Sequence, residues 1–516
     1  MYCVRVQEEI GHRLDAEFYN PAALATEAKM RAHGEVQPLG EKIAEGYRVV
    51  YHGTDSISGF ANEDLLPFLS PTQINEGGEI DFTSTDQLPS YYKDRYPKGL
   101  AVAGELLVEV KGNVAKVAVV PDEFPENLMV SGSLYKATLR PDLDSRYALA
   151  FLQSRFGQIL KDRLTSNTII QYIAKSDLYS ILVFVAHKTV QRYIGDKVRQ
   201  AEQLRSWANA LAGMSRKAFE EALKWSDQIE SAEIFGWISS AELDARLDLK
   251  YNSPKRIALK RHLERNGVTT EPLHMIADIS AMIGWKGLTT EYYRDFGPWL
   301  LRGVEFCNGL IDTEALVSVD EEKYEEQPQI HLREGDVVLT KDGTLGKAVV
   351  IPKLPNRLAA GSTVARIRVK DTQYIDPYYL EFVINHASVQ IQIESFSTGV
   401  AQPHITQEWI ALIEIPRTAD EVKIAVSWKL NHYCLSAAKG LTRGARLLVE
   451  ALIEGQITEA ELIDAQHALT RGDDSLDRAI LARLKTDGLD GVGEPLFPDL
   501  DQLYDLLERA QPEAGA

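Results

Sequence analysis

Apolar positions follow two different periods along the chain. Short apolar runs such as Leu106–Val110 and Val114–Val120 are bounded by Gly, Pro and Asn, the form expected of buried strands. The runs Val337–Thr340 and Leu345–Ile351 look the same, with Lys341-Asp342-Gly343-Thr344 between them. Asp-Gly between strand-forming runs predicts a tight hairpin, because a type I′ turn needs positive φ. Elsewhere the period is helical, and helices are expected over Ala22–Ala32, Ser145–Leu160, Lys255–Asn266 and Pro377–Ile393. Two helical segments are much longer. Lys188 to Trp225 contains no Pro and places Ile194, Val198, Ala201, Ala208 and Leu211 on one stripe. Asp420 to Glu454 does the same with Leu430, Cys434, Ala437, Leu441, Ala445, Leu448 and Leu452. Near-heptad spacing predicts that these helices pair. At 1.5 Å per residue each is roughly 50–55 Å long.

The order of elements occurs twice. Arg13-Leu14-Asp15 with Pro21 returns as Arg246-Leu247-Asp248 with Pro254. Gly104–Pro121 returns as Gly335–Pro352, Tyr147–Phe151 as Tyr378–Phe382, and Gln171 as Gln402, at an offset that stays between 231 and 233 residues. A period of this length exceeds any solenoid unit and marks a duplicated domain. The expected organisation is α+β: a mixed α/β domain over 1–187, a long helix over 188–232, a second such domain over 233–418 and a second long helix over 419–455. The two helices would pair as an antiparallel coiled coil. Residues 456–516 have no repeat partner. Thr458…Glu461 is a capping-box pattern opening a helix through Leu469, and further helices are expected over Leu476–Leu484 and Pro498–Ala510.

At 516 residues and 45% hydrophobic content the chain can bury at least two cores. No apolar run reaches the ~18–20 residues that span a bilayer. The first residues carry no basic-then-apolar targeting pattern, so a cytoplasmic location and no membrane partner are expected. Cys3, Cys307 and Cys434 are scattered, against a disulfide framework or a zinc site. The net charge of −19 argues superficially against a nucleic-acid partner. However, 456–516 alone holds 5 Lys/Arg against 14 Asp/Glu, nearly half of the excess. The repeated domains are only mildly acidic, and the tail suits a protein-facing or charge-tuning role.

Gly335-Asp-Val-Val-Leu-Thr-Lys-Asp-Gly-Thr-Leu-Gly-Lys347, Ser397-Thr-Gly-Val-Ala-Gln-Pro-His-Ile405 and Tyr378-Tyr-Leu-Glu-Phe382, taken in order and with weaker copies upstream, resemble a known family. It is the DNA-specificity (S) subunits of type I restriction–modification systems, and the resemblance covers about residues 10–455. It implies two target-recognition domains, each reading one half of a bipartite, asymmetric duplex DNA site. It also implies that the spacer helices set the distance between half-sites and dock adenine-N6 DNA methyltransferase subunits, two in number, and through them a restriction/translocase subunit. By the same resemblance the chain is no enzyme. It would carry no cofactor itself: S-adenosylmethionine, and ATP with Mg where a motor is present, would belong to partner subunits. The first copy departs from the pattern, with Ala115 in place of Gly346 and no Gly matching Gly399, and the tail suggests a variant phage-defence system.

The residues agree on the absence of chemistry. Asn20-Pro-Ala-Ala23 lacks the aromatic of a methyltransferase loop, and no P-loop, HExxH or paired CxxC occurs. Glu109-Val110-Lys111 with Asp94 mimics a nuclease pattern, but Thr340 and Asp342 stand at the equivalent positions, so a strand end and turn are expected. The candidates for DNA contact are loop cations, amides and hydroxyls, which hold phosphates or read base edges. In the second copy these are Lys341, Thr344 and Lys347 around the hairpin, Thr398, Gln402 and His404 in the Gly loop, and Trp285, Lys286, Thr289 and Tyr292 upstream. In the first copy they are Lys111, Asn113, Lys116, Asn167 and Gln171, with Tyr92, Lys93 and Arg95 as a basic–aromatic cluster. The alternative from another class is a protein-interaction adaptor whose domains have lost DNA binding, consistent with the acidic balance. A fused nuclease is the third reading, and the missing motifs speak against it.

Overall fold

The computed structural model describes residues 18–51, 55–166, 170–226, 229, 246–282, 289–307, 309–399 and 402–511. The chain is α+β and divides into two units, Met1–Ser206 with Ala437–Ala516, and Trp207–Ser436. The long helices Lys188–Leu223 and Glu421–Glu454 therefore each contribute their first half to one unit and their second half to the other.

In the first unit a helix, Pro21–His33, opens on Asn20, whose side chain accepts from the Ala22 amide, with Pro at the first turn. An antiparallel sheet follows in the order Ile43–Tyr47, Leu134–Leu139, Leu106–Glu109, Val117–Val119. A smaller sheet orders Asp86–Pro89, Leu65–Leu69 and Met129–Val130, the last pair being parallel. Leu107, Ala118, Val120, Val130 and Leu134 share a core with residues of the smaller sheet. The second unit repeats this plan. Pro254–Arg265 opens on Ser253, and the antiparallel sheet runs Ala277–Ala281, Val364–Val369, Val337–Thr340, Ala348–Val350. Its other sheet orders Val317–Val319, Tyr293–Leu301, Leu358–Ala360 and His331–Leu332, again with one parallel pair.

Two sequence expectations need correction. The helices expected over Ser145–Leu160 and Pro377–Ile393 are each a pair: Ser145–Gln153 with Arg155–Asp162, and Pro377–Asn385 with Ala387–Phe396. The break falls where a side chain can cap the next helix, Ser154 accepting from the Gly157 amide and His386 from the Ser388 amide. The chain also aligns with itself one residue later than Tyr147 with Tyr378. Tyr147 donates to the Phe184 carbonyl and Tyr379 to the Pro416 carbonyl, both at 2.8 Å and both from wholly buried rings.

Within the first unit Arg205 donates to the Thr442 hydroxyl at 2.9 Å. Within the second, the Asn431 amide donates to the Ala208 carbonyl at 2.7 Å. Of the expected seam residues, Ile194, Val198, Ala201, Ala208, Leu211, Cys434, Leu441, Ala445, Leu448 and Leu452 are buried, and Leu430 and Ala437 half-buried.

The tail forms helices Glu459–Thr470, Ser475–Arg483 and Leu500–Arg509, the first with its capping box from Thr458 and Glu461. It packs onto the first unit. Phe497 covers Gly440 and Gly444, and Asp477, 1% exposed, receives the Tyr193 hydroxyl and the Lys197 ammonium, the latter at 2.6 Å, with Tyr504 closing the set. The nearby cation and three hydrogen bonds hold the Asp477 carboxyl below its ordinary range despite the opposing effect of its burial.

Candidate nucleic-acid interface

Each unit brings two loops together at the end of its main sheet. In the second unit the strands Val337–Thr340 and Ala348–Val350 are antiparallel, as expected, yet their connection is no two-residue turn. The Thr340 amide donates to the Lys347 carbonyl and the Lys347 amide to the Thr340 hydroxyl, and the intervening loop bends through Gly343 and Gly346, both at positive φ. Asp342 turns instead to the Gly loop, where it bridges to His404 and accepts from its imidazole, while Lys341 pairs with the same carboxylate at 2.6 Å. The Gly343 amide donates to the Pro403 carbonyl and the Ile405 amide to the Lys341 carbonyl. The Gly loop closes on itself through reciprocal bonds between Thr398 and His404. Gly399 is required there: its φ is +83°, and a Cβ would lie 2.4 Å from the Gln402 carbonyl oxygen.

The first unit builds the same pairing from different residues. Lys111–Gly112 pairs with Gln171–Tyr172, the Ile173 amide donates to the Val110 carbonyl, and the Ser166 amide donates to the Tyr172 carbonyl. Each bond has its counterpart in the other unit. The loop itself is held differently. The Glu109 carboxylate, in a residue 4% exposed, accepts from the backbone amides of Asn113, Ala115 and Lys116, where the Thr340 hydroxyl accepts from the Lys347 amide. Those bonds hold buried Val114 at φ +56°, a conformation that ordinarily costs an L-residue about 1–2 kcal/mol. The loop thus manages without the glycine that Ala115 replaces. Glu109 is a structural anchor, and the nuclease-like spacing around it is a strand end and turn.

Lys161, also in the first unit, is wholly buried and donates to the Ala115 carbonyl at 2.7 Å; burial pulls its ammonium down to about 8. Gln158 and Gln390 clamp the two loops from the helices below. Each donates to a helix carbonyl at 2.7 Å and to the loop, through Ala115 and Gly346 respectively.

The sequence candidates separate clearly. Thr344, Thr398 and Gln402 are exposed on the paired loops of the second unit, with Lys347 half-buried and Lys341 and His404 engaged by Asp342. Lys111, Asn113 and Gln171 are exposed on the paired loops of the first. Lys116 is tied down, its ammonium donating to the Pro71 carbonyl at 2.8 Å. Tyr92 is a correction: it is 1% exposed and belongs to a core with Leu66, Leu88 and Met129, because its ring stacks on Tyr96 while its hydroxyl accepts from the Asp55 amide. Lys93 is half-buried and Arg95 exposed beside Tyr96, away from the paired loops in sequence. Thr289 is exposed, and Tyr292 packs against the second unit's smaller core with Lys323 over its ring. Asn167, Trp285 and Lys286 lie outside the described residues, as do Arg13, Leu14 and Asp15.

One group was not legible in the sequence. Beside the loop pairing of the first unit lies a recess of about 320 Å³ lined by Tyr47, Arg48, Tyr135, Tyr172 and Lys175. Arg48 lies over the Tyr172 ring, 5.4 Å from its centre, and donates to the Tyr172 hydroxyl and the Gly132 carbonyl. A guanidinium stacked on an aromatic ring beside exposed Gln171 and Lys111 can hold a phosphate, stack on a base or donate to a base edge. Arg48 and Tyr172 stand 124 residues apart, and only strand pairing joins them.

The described residues contain no group of His, Cys, Asp and Glu suited to a metal ion and no helix long and apolar enough to cross a membrane. No family model and no curated protein matches the chain. Three solved structures are similar to it. The S subunit of a type I restriction–modification system from M. genitalium is 14% identical, with 82% of this chain and 96% of that one covered, at a TM-score of 0.38. The HsdS subunit from Thermoanaerobacter tengcongensis is 14% identical, with 82% and 97% covered, at 0.26. A chain from a structural study of complex assembly and conformational transition in the type I R-M system is 13% identical, with 84% and 97% covered, at 0.27. The chain is similar to S subunits. At these identities and TM-scores the similarity assigns no role to any residue.

Proposed function

We propose that this chain is the non-catalytic DNA-specificity subunit of a restriction–modification, phage-defence complex. Each recognition domain reads one half of a bipartite, asymmetric duplex site. The long helices pair as an antiparallel coiled coil, fix the spacer and dock adenine-N6 methyltransferase subunits, which bring S-adenosylmethionine and, where a motor joins, ATP and Mg. The observation that carries this reading is the loop pairing built twice on one backbone plan with different side chains at its tips: Lys111, Asn113 and Gln171 in one unit, Thr344, Thr398 and Gln402 in the other. Equivalent frames with unlike tips suit a target of two unlike halves. Cations, amides and hydroxyls are also what phosphate contact and base readout require.

The test is binding of the chain, with its methyltransferase subunit, to duplexes at rising salt, followed by mapping of modified adenines in cells expressing the system. Binding that weakens steeply with salt, and modified adenines in a single bipartite motif, are expected. An adaptor with degenerate domains would show neither.

A further inference from the structure

The tail covers a helix face in the first unit that stays bare in the second. Gln191, Gly195 and Arg199 turn toward the recognition domain, Gln191 and Arg199 reaching Asp144 and a Cβ on Gly195 meeting it at 2.8 Å. Ile424, Trp428 and His432 do the same in the second unit: Ile424 joins its core, Trp428 packs on Phe382, and His432 sits 3.1 Å from Glu381. With these sets superimposed along the helix, Tyr193 and Lys197 correspond to Val426 and Leu430. Tyr193 and Lys197 are 0% and 2% exposed because Asp477 and Tyr504 of the tail close over them. Val426 is 61% exposed and its neighbour one turn earlier, Val422, 78%. The other helix shows the same contrast. In the same superposition Leu447, 7% exposed in the first unit, corresponds to Met214, which is 59% exposed in the second.

We propose that the tail is a built-in occupant of one of two equivalent docking faces, leaving this chain a single open face, around Val422, Val426 and Met214, for one helical methyltransferase subunit with an acidic contact surface. This rests on the reading of the long helices as the methyltransferase dock. The tail shows what such a face accepts: short helices bearing carboxylates, one of which, Asp477, is buried against a lysine. The open face offers Lys423 and Lys429, both exposed, the second over the rings of Tyr378 and Tyr433 with no carboxylate paired to it among the described residues. An apolar strip edged by lysines attracts an acidic amphipathic helix and repels a basic one. Two exposed valines on one long helix and an exposed methionine on the other are otherwise a liability in water.

The experiment is native mass spectrometry of the full chain with its methyltransferase subunit in excess, repeated with Val426→Asp. One methyltransferase per wild-type chain is expected, with binding weakened on the order of tenfold or more by the substitution. Because Val426 is exposed, the variant keeps its fold, which an unchanged thermal transition verifies. Two methyltransferases per chain, or one that Val426→Asp leaves untouched, would overturn the inference while leaving the dock in place. A chain that dimerises through Val426 and excludes the enzyme would also overturn it. No methyltransferase bound to the wild-type chain would instead remove the docking reading on which the inference stands.

Discussion

His386 and Ser154 occupy the same place, the cap between two short helices, and differ in what a proton does to them. Ser154 has none to gain. His386 is 8% exposed, its ring against Phe219 and Trp225, and its Nδ1 accepts from the Ser388 amide. Burial first, and Arg216 after it, pulls the imidazole down to about 4 from the 6.5 of an unfolded chain. The folded state therefore resists a proton that the unfolded state takes up. The stability this group contributes is complete above pH 6.5 and is lost as pH falls toward 4, by up to about 3 kcal/mol. Urea unfolding followed by tryptophan fluorescence at pH 7 and pH 4.5 checks this. His386→Asn keeps a capping acceptor but cannot be protonated, so its stability falls clearly less between the two pH values than that of the wild type. Equal falls would remove His386 from the account.

At the level of elements, the backbone plan was legible and the side-chain partnerships were not. Hydrophobic period, with a capping box at Thr458, located both long helices, two of the four strands of each main sheet and the three tail helices, since each buries a regular stripe or an unbroken run. It missed the breaks at Ser154 and His386, because an amphipathic period runs through a side-chain cap without interruption. It also overread Asp342-Gly343: an aspartate next to glycine suits a tight turn, but a histidine 62 residues downstream competes for the carboxylate and wins. Tyr92 looked like a surface aromatic beside Lys93 and Arg95, and the hydrophobic cluster it joins lies in other strands. The long helices carry their own prediction. Asn431 and Ala208 mark one level on both. Inserting seven residues, two turns that nearly keep the helical phase, at that level in each helix lengthens them by ~10 Å, on the order of three base pairs of duplex. Mapped methylation is expected to show both half-sites unchanged with a spacer longer by that amount. Altered half-sites with an unchanged spacer would contradict a measuring role.

For the molecule as a whole, duplication followed by unequal drift leaves one frame in two copies with unlike loop tips, which under the proposed function would let one chain carry two specificities without two scaffolds. The frame is common to both units: the same main-sheet order, the same buried tyrosine bonded to the strand before the long helix, and the same glutamine clamp under the loop. What has drifted is whatever the frame does not need. Glu109 replaces Thr340 as the loop anchor, Ala115 replaces Gly346, and Arg48 with Tyr172 adds an aromatic–basic recess to one unit. Specificity should then be transferable in blocks that leave the frame intact. Residues 270–405 begin in the strand Thr270–Pro272, which pairs with Glu414–Pro416, and end just past the Gly loop, before the second long helix. Replacing that block with the equivalent block of a relative is expected to change one half of the methylated motif and leave the other half and the spacer as they were. Under the proposed function the first unit's Lys111, Asn113 and Gln171 would still read their half, because the bonds that position their loops among the described residues are made inside that unit. A swap that altered both halves at once would show that the two domains do not read independently, and that the second frame is more than a copy of the first.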